Sequence, residues 1–262
     1  MSDFDRNYAA TRRGFGTDRT VAIDQGLRAY MLRVYNYMAV GVALTGLVAW
    51  LAFQAAGGDA IQITPRGIVG ATQFGQLILS FPGQIVLFLG TLGLVFLVSW
   101  RIDQLQPSTA FTLFMVYAAL LGVMLSSIFV VYTGVSISRT FFISAASFGA
   151  LSLYGYTTQR DLSPIGSFLM MGVIGIILAM LVNMFLRSTQ LDLIISVIGV
   201  ICFAGLTAYD TQRIKGDYVQ YAYAMGTEGV AKRSVYDALS LYLNFINLFM
   251  MLLQLLGNRN NN

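Results

Sequence analysis

Hydrophobic positions along this chain gather into seven long blocks, at about 33–53, 82–100, 109–131, 138–157, 165–186, 191–211 and 236–256. Each is close to the roughly 20 residues that a helix needs to cross about 30 Å of hydrocarbon. The pattern predicts an all-α membrane protein with seven transmembrane helices. The fourth block, "ISRTFFISAASFGALSLYGYTT", is diluted by small and hydroxyl residues, which suit close contact between helices in a bundle; Gly90/Gly93 and Gly172/Gly175 read the same way. Ahead of the first block, residues 1–27 are polar and Arg-rich and read as a mostly disordered tail. Residues 28–257 then form one seven-helix domain, and 258–262 a short carboxyl-terminal tail. The connection from Gln54 to Phe81 is long, polar and glycine-containing. Pro65, Pro82, Pro107 and Pro164 all fall in connections or at the first turn of a span, so no span is broken by proline. The first block is too long and begins too late for a secretory signal, and it is expected to remain as a span.

Composition narrows the chemistry. The 262 residues are 56% hydrophobic and 11% charged, with a mean hydropathy of +0.69; soluble domains carry about 25% charge. There is no histidine and a single cysteine, Cys202, inside the apolar run "GVICFAGL". Histidine-based catalysis or metal ligation and intrachain disulfides are thereby excluded, and Cys202 reads as a small buried hydrophobe. A serine–histidine intramembrane protease is impossible. Tyr209–Asp210 matches half of a presenilin-type aspartyl protease signature, but the partner "GxGD" is missing and the mechanism needs both acids. Residues 236–256 contain no lysine for a retinal Schiff base, and neither a Walker motif nor "HExxH" is present. The expectation is a protein that is not an enzyme and holds no cofactor.

The net charge of +4 resembles a nucleic-acid signal only if its placement is ignored. The basic residues flank the spans, which points to the lipid bilayer as partner and not to nucleic acid. Counting alternate connections, one side collects Arg6, Arg12, Arg13, Arg19, Arg28, Arg33, Arg101, Arg160, Arg213, Lys215, Lys232 and Arg233. The other holds only Arg66, Arg139, Arg187 and Arg259. Twelve against four predicts a cytoplasmic amino terminus and an outside carboxyl terminus.

With that orientation Asp210 lies at the inner end of the sixth span, and Arg101 at the same depth in the second. Asp237 stands at the inner surface, with Asn244 about a third of the way across at about 1.5 Å per residue. On the seventh span Asp237, Ser240, Asn244, Asn247 and Gln254 recur at helical steps and form one polar stripe. Ser196, Gly199, Thr207 and Asp210 form a weaker stripe on the sixth, and Asn183 adds an intramembrane amide from the fifth. Each has a plain structural reading. Arg101 can anchor in headgroups beside Asp103, the asparagines can hold helices together, and Asp210 can pair with Arg213 or Lys215. Intramembrane polar residues usually mark pathways or relays, which favours a functional reading of the seventh-span stripe.

The segment "FAGLTAYDTQRIKGDY", followed by "ALSLYLNFINLFMMLLQLLG", resembles the transmembrane Bax inhibitor motif family, and the likeness extends from about Arg28 to Leu256. The short tails suggest a bacterial-type member. The resemblance implies a seventh helix that is central and surrounded by the other six, and a pH-responsive calcium leak. It further implies two aspartates that sense protons near the inner mouth, approached by an arginine of the second span. Asp210 matches the first aspartate and Arg101 is the candidate arginine; Asp210 then becomes a candidate calcium contact. Links of the family to stress protection and to a membrane-bound protease come by the same route.

At the second aspartate this chain departs from the family pattern, because Asn244 occupies it. Two adjacent carboxylates cannot both ionise cheaply, so such a pair exchanges a proton with pH. Asn244 has the shape of a protonated aspartate and no proton to exchange, and it removes one charge from any calcium site. Two readings follow. One is a calcium leak channel, with Asp210, Asn244 and Arg101 as its ion-pathway residues and Asp237, Ser240 and Asn247 in support. The other is a non-conducting regulator of a stress response or of a membrane protease.

Overall fold

The computed structural model describes the backbone of residues 3–64, 67–101 and 105–260, and the side chains of these except 3–24, 63, 98–99, 101, 221–225 and 227. The tail read as mostly disordered therefore lies almost wholly outside the described side chains. Pro65 and Asp103 also lie outside the described residues.

Eight α-helices carry the fold: α1 (Asp3–Ala56), α2 (Gln73–Leu79), α3 (Phe81–Arg101), α4 (Pro107–Leu125), α5 (Ile128–Val131), α6 (Gly134–Thr157), α7 (Ser163–Leu186) and α8 (Thr189–Leu256). Among the described residues six segments are long and apolar enough to cross a membrane: Gln25–Ala56, Pro107–Val131, Gly134–Thr157, Ser163–Leu186, Thr189–Gln220 and Glu228–Leu256. The expected second span is the exception. Expected at 82–100, it is α3, which passes the same test together with α2, from which it is bent by 65° between Leu79 and Phe81, and it makes a seventh crossing if the two are one span. Large apolar side chains stand exposed on the outer faces, among them Phe142, Phe168, Phe185 and Leu193. A soluble monomer rarely leaves so much contiguous apolar surface in water. This is an integral membrane protein.

The connection read from sequence as a polar linker is structured. A short 3₁₀ turn (Gly58–Ala60) leads into an antiparallel hairpin, β1 (Gln62–Thr64) and β2 (Gly67–Val69), with Ile63 opposite Ile68. Thr72 then caps α2 by accepting from the Gly75 backbone N–H at 3.1 Å. The three described prolines sit where expected: Pro107 opens α4, and Pro164 and Pro82 lie in the first turns of α7 and α3. The third span is interrupted at Ser126–Ser127, whose hydroxyls donate back to Val123 O and Met124 O.

Helix α8 carries both of the last two expected spans. Its helix breaks at Gly226, with φ 63° and ψ −179°, a conformation that a side chain would strain. The two arms, Thr189–Gln220 and Glu228–Leu256, are antiparallel: Ser196 meets Gln254, Asp210 meets Asn244, and Asp217 meets Arg233. Both arms extend beyond the apolar blocks. The second arm is the most buried of the spans, 56% of its apolar window against 17% for α7. Tyr242, Leu241, Leu248 and Leu253 on it are fully enclosed. Of the glycine pairs read as helix contacts, half serve that purpose. Gly90 faces Leu120 and Gly172 faces the Cys202 sulfur, whereas Gly93 and Gly175 face open space.

Candidate functional site

Asp210 ends the apolar part of the first arm of α8, and its neighbours in "YDTQ" each have a separate structural task. The Tyr209 ring packs directly on α7 at Gly166, where a Cβ would overlap it. Gly155 likewise lets α6 approach, since a Cβ there would be 2.1 Å from the Ala208 carbonyl oxygen. Thr211 shares a hydrogen bond with Ser152 of α6 at 2.8 Å, and Ser152 shares another with Tyr35 of α1 at 2.7 Å. Gln212 ties down the α6–α7 connection, accepting from Leu162 N at 2.8 Å and donating to Arg160 O at 2.7 Å. In that connection the backbone N–H of Ser163, then its hydroxyl, hold the exposed Asp161 carboxyl below the ordinary carboxylate range. The block is a junction of four helices, and it presents Asp210 to the second arm.

The Asp210 carboxylate is buried and every approach to it is from a donor. Asn244 Nδ2 donates to Oδ2 at 2.7 Å, and the Ser240 hydroxyl donates to the same oxygen at 3.1 Å. Arg213, one turn along the same arm, reaches Oδ1 at 2.9 Å and also donates to Ser240 Oγ at 3.3 Å. Asn244 is itself only 6% exposed. Ser240 and Asn244, one turn apart on the seventh-span stripe, thus bridge onto one carboxylate of the facing arm. This is the lateral proximity that sequence spacing left open.

Asp237 belongs to a second cluster. It is 0% exposed. Tyr30 of α1 donates to Oδ2, and the Arg233 Nε lies 3.4 Å from Oδ1 without a hydrogen bond. Arg233 donates through Nη2 to Asp217 Oδ2 at 2.6 Å. The Tyr30 ring packs, tilted, against that of Tyr218 with 4.7 Å between centroids, which closes the cluster between α1 and both arms of α8. The Asp237 Oδ1 and both arginine Nε atoms, Arg213 and Arg233, are buried without a hydrogen-bond partner among the described residues.

The expected stripe is therefore divided. Asp237 turns to α1, Ser240 and Asn244 to Asp210, and Gln254 accepts from Ser196 at 2.7 Å. Asn247 makes no side-chain hydrogen bond among the described residues. On the first arm Ser196, Gly199 and Asp210 all face the second arm, Gly199 against Met251, while Thr207 returns its hydroxyl to Phe203 O. Asn183 staples the α7–α8 turn, accepting from Ser188 N at 2.9 Å and donating to Ser188 O and Asp192. Arg101 ends α3, and its side chain lies outside the described residues. Sequence reading singled out neither Tyr30, Asp217 nor the tie from Arg233 to Asp237. Only the last carries a sequence signal, at i,i+4. Among the described residues no group of three or more His, Cys, Asp or Glu side chains could hold a metal ion.

Fold and site together define a polytopic helical membrane protein whose last two spans clasp a buried carboxylate between them. The family described as "Inhibitor of apoptosis-promoting Bax1" matches residues 27–261, and the chain belongs to this Bax inhibitor family. It is 45% identical to the inner membrane protein YbhL of Escherichia coli (strain K12), over 93% of this chain and 97% of that one. An uncharacterized protein of Caulobacter vibrioides is 42% identical over 98% of each chain. An uncharacterized membrane protein of Streptococcus pyogenes serotype M3 is 35% identical over 89% of this chain and 94% of its own.

Proposed function

We propose that this protein is a calcium leak pathway of the Bax inhibitor type in a bacterial inner membrane, gated at Asp210. Its pH response is altered because Asn244 stands where the family resemblance implies a second aspartate. The observation that carries this reading is the 2.7 Å contact from Asn244 to Asp210, bridging the two arms of α8. An acid at position 244 would touch Asp210 directly and share a proton with it. The asparagine holds the same contact permanently, with no proton to give up. The burial of the second arm, highest of the spans, supports a seventh helix at the centre of the other six. The basic excess supports a cytoplasmic amino terminus, with Asp210 at the inner mouth.

In this arrangement both Asp210 oxygens face donors, so a cation reaches the carboxylate only after Arg213, Ser240 or Asn244 gives way. Opening is then a movement of one α8 arm against the other. Arg101 is the further candidate cation for this site. We assign no catalysis and no cofactor, and calcium enters as the permeant ion. Calcium flux into proteoliposomes of the purified protein tests the proposal: flux that Asp210→Asn changes supports it, and no flux at any pH removes it.

The complete pairing of Asp210 by donors also favours a second reading. The clasp can serve as a structural lock in a non-conducting regulator of a stress response or of a membrane protease. Absent flux, together with co-purification of a protease, is the outcome that selects it.

A further inference from the structure

Helices α1 and α6 barely touch along their length, and a groove of about 490 Å³ lies between them. Arg28 stands at one end of it, in the first turn of the span Gln25–Ala56; Tyr156, in the last turn of α6, lines the same end. The walls are apolar: Met31, Leu32 and Phe148 with the exposed edge of Leu153. The polar groups at its depth are already paired, because Tyr35 and Ser152 hydrogen-bond to each other and Ser152 also to Thr211. Nothing in the groove therefore calls for a polar ligand below its mouth. At the mouth the position is reversed. Arg28 is exposed and has no ion-pair partner among the described residues, while nearby Lys215 is held by the Tyr156 carbonyl at 2.9 Å and over its ring at 5.0 Å.

An exposed guanidinium at the membrane surface above an apolar slot matches an anionic lipid, with its phosphate on the cation and one acyl chain in the slot. We propose that the α1–α6 groove is a binding site for an anionic phospholipid, with Arg28 as its headgroup contact. A zwitterionic lipid fills the slot equally well but gains less from Arg28. The preference therefore resides in Arg28 and the occupancy in the slot. Gly149 separates the two, since it lines the groove and a Cβ there meets nothing within 4 Å. The site does not depend on whether the protein conducts.

Native mass spectrometry of the full chain, released from detergent with phosphatidylglycerol or phosphatidylcholine, tests the proposal. The natural protein is expected to retain one phosphatidylglycerol under conditions that strip phosphatidylcholine. Arg28→Gln is expected to lower that preference about fivefold, the effect of one basic side chain at an anionic surface. Gly149→Phe is expected to abolish retention of either lipid while leaving the melting temperature in lipid-free detergent unchanged; if the phenylalanine prevents insertion, Gly149→Leu serves instead. Equal retention of the two lipids by the natural protein overturns the proposal. So does a folded Arg28 or Gly149 variant that keeps the natural preference.

Discussion

Arg213 reaches the Asp210 carboxylate at 2.9 Å from one turn away on the same helical arm. The acid is 10% exposed at its side chain and the arginine 29%, so the pair straddles the edge of the buried region. Taking away one member leaves the other charge poorly solvated, which for enclosed pairs costs about 3–5 kcal/mol. The partial exposure of Arg213 puts the cost at or below the lower end of that range. Asp210→Asn and Arg213→Gln are each expected to lower the unfolding temperature in detergent. The double variant is expected to lose less than the sum of the two, by about 0.5–3 kcal/mol. Additive losses mean that Arg213 is not the cation that neutralises Asp210, which leaves Arg101 as the candidate.

Tyr30 provides the hydrogen bond that ties the buried Asp237 to α1. Tyr30→Phe keeps the ring against Tyr218 and removes only the hydroxyl. The carboxylate then loses a donor in a place closed to water, so the expected cost is about 1–3 kcal/mol. Thermal unfolding checks it. Restoration of stability by adding Asp237→Asn, which removes the charge in need of a donor, would assign the loss to that carboxylate and not to ring packing.

Much of this architecture is legible in the sequence, and the parts that are not share one cause. Apolar block length marked the six spans and α3, because hydrocarbon thickness is a one-dimensional constraint, read directly along the chain. The block at 82–100 marked α3 but missed α2, which precedes it across a 65° bend and reads as part of the polar connection from Gln54 to Phe81. Helical periodicity grouped Asp237 with Ser240 and Asn244, but the angular spread within a stripe is enough for Asp237 to turn to Tyr30 and the others to Asp210. Partners at i,i+3 and i,i+4, such as Arg213 and Arg233, are written in local spacing. Tyr30 lies 207 positions from Asp237, and nothing local marks the pairing. The hairpin at Gln62–Val69 escaped because its polar, glycine-containing segment reads as a linker.

Orientation gives a further test, on which the assignment of Asp210 to the inner mouth depends. Cys202 is buried and the sole cysteine, so single cysteines can be placed on a Cys202→Ala background. A membrane-impermeant thiol reagent added outside intact cells is expected to label Asn258→Cys, whose side chain is exposed, and to leave Thr11→Cys unlabelled. The reverse pattern would move the whole Asp210 cluster to the outer face.

Asn244→Asp tests the departure from the family pattern itself. The substitution changes an NH₂ into an oxygen of the same shape, 2.7 Å from Asp210 Oδ2, where the amide now donates. Two carboxylate oxygens at that distance stay in contact only with a proton between them. While the pair holds a proton, at acidic pH, the contact is kept. As pH rises the shared proton is lost, the two charges repel, and Arg213 can satisfy only part of the excess. The sign follows: the variant is expected to match the natural protein in stability at acidic pH and to fall below it towards alkaline pH. Calcium flux in proteoliposomes, stepped across the same range, is expected to vary more steeply with pH in the variant than in the natural protein, because repulsion drives the two α8 arms apart. The natural protein, with a fixed amide in the clasp, is expected to show a flatter profile. Parallel flux profiles in two folded, inserted proteins would mean that Asp210 does not gate, even where the stability profiles diverge. That combination would leave the clasp as a structural lock and favour the regulator reading.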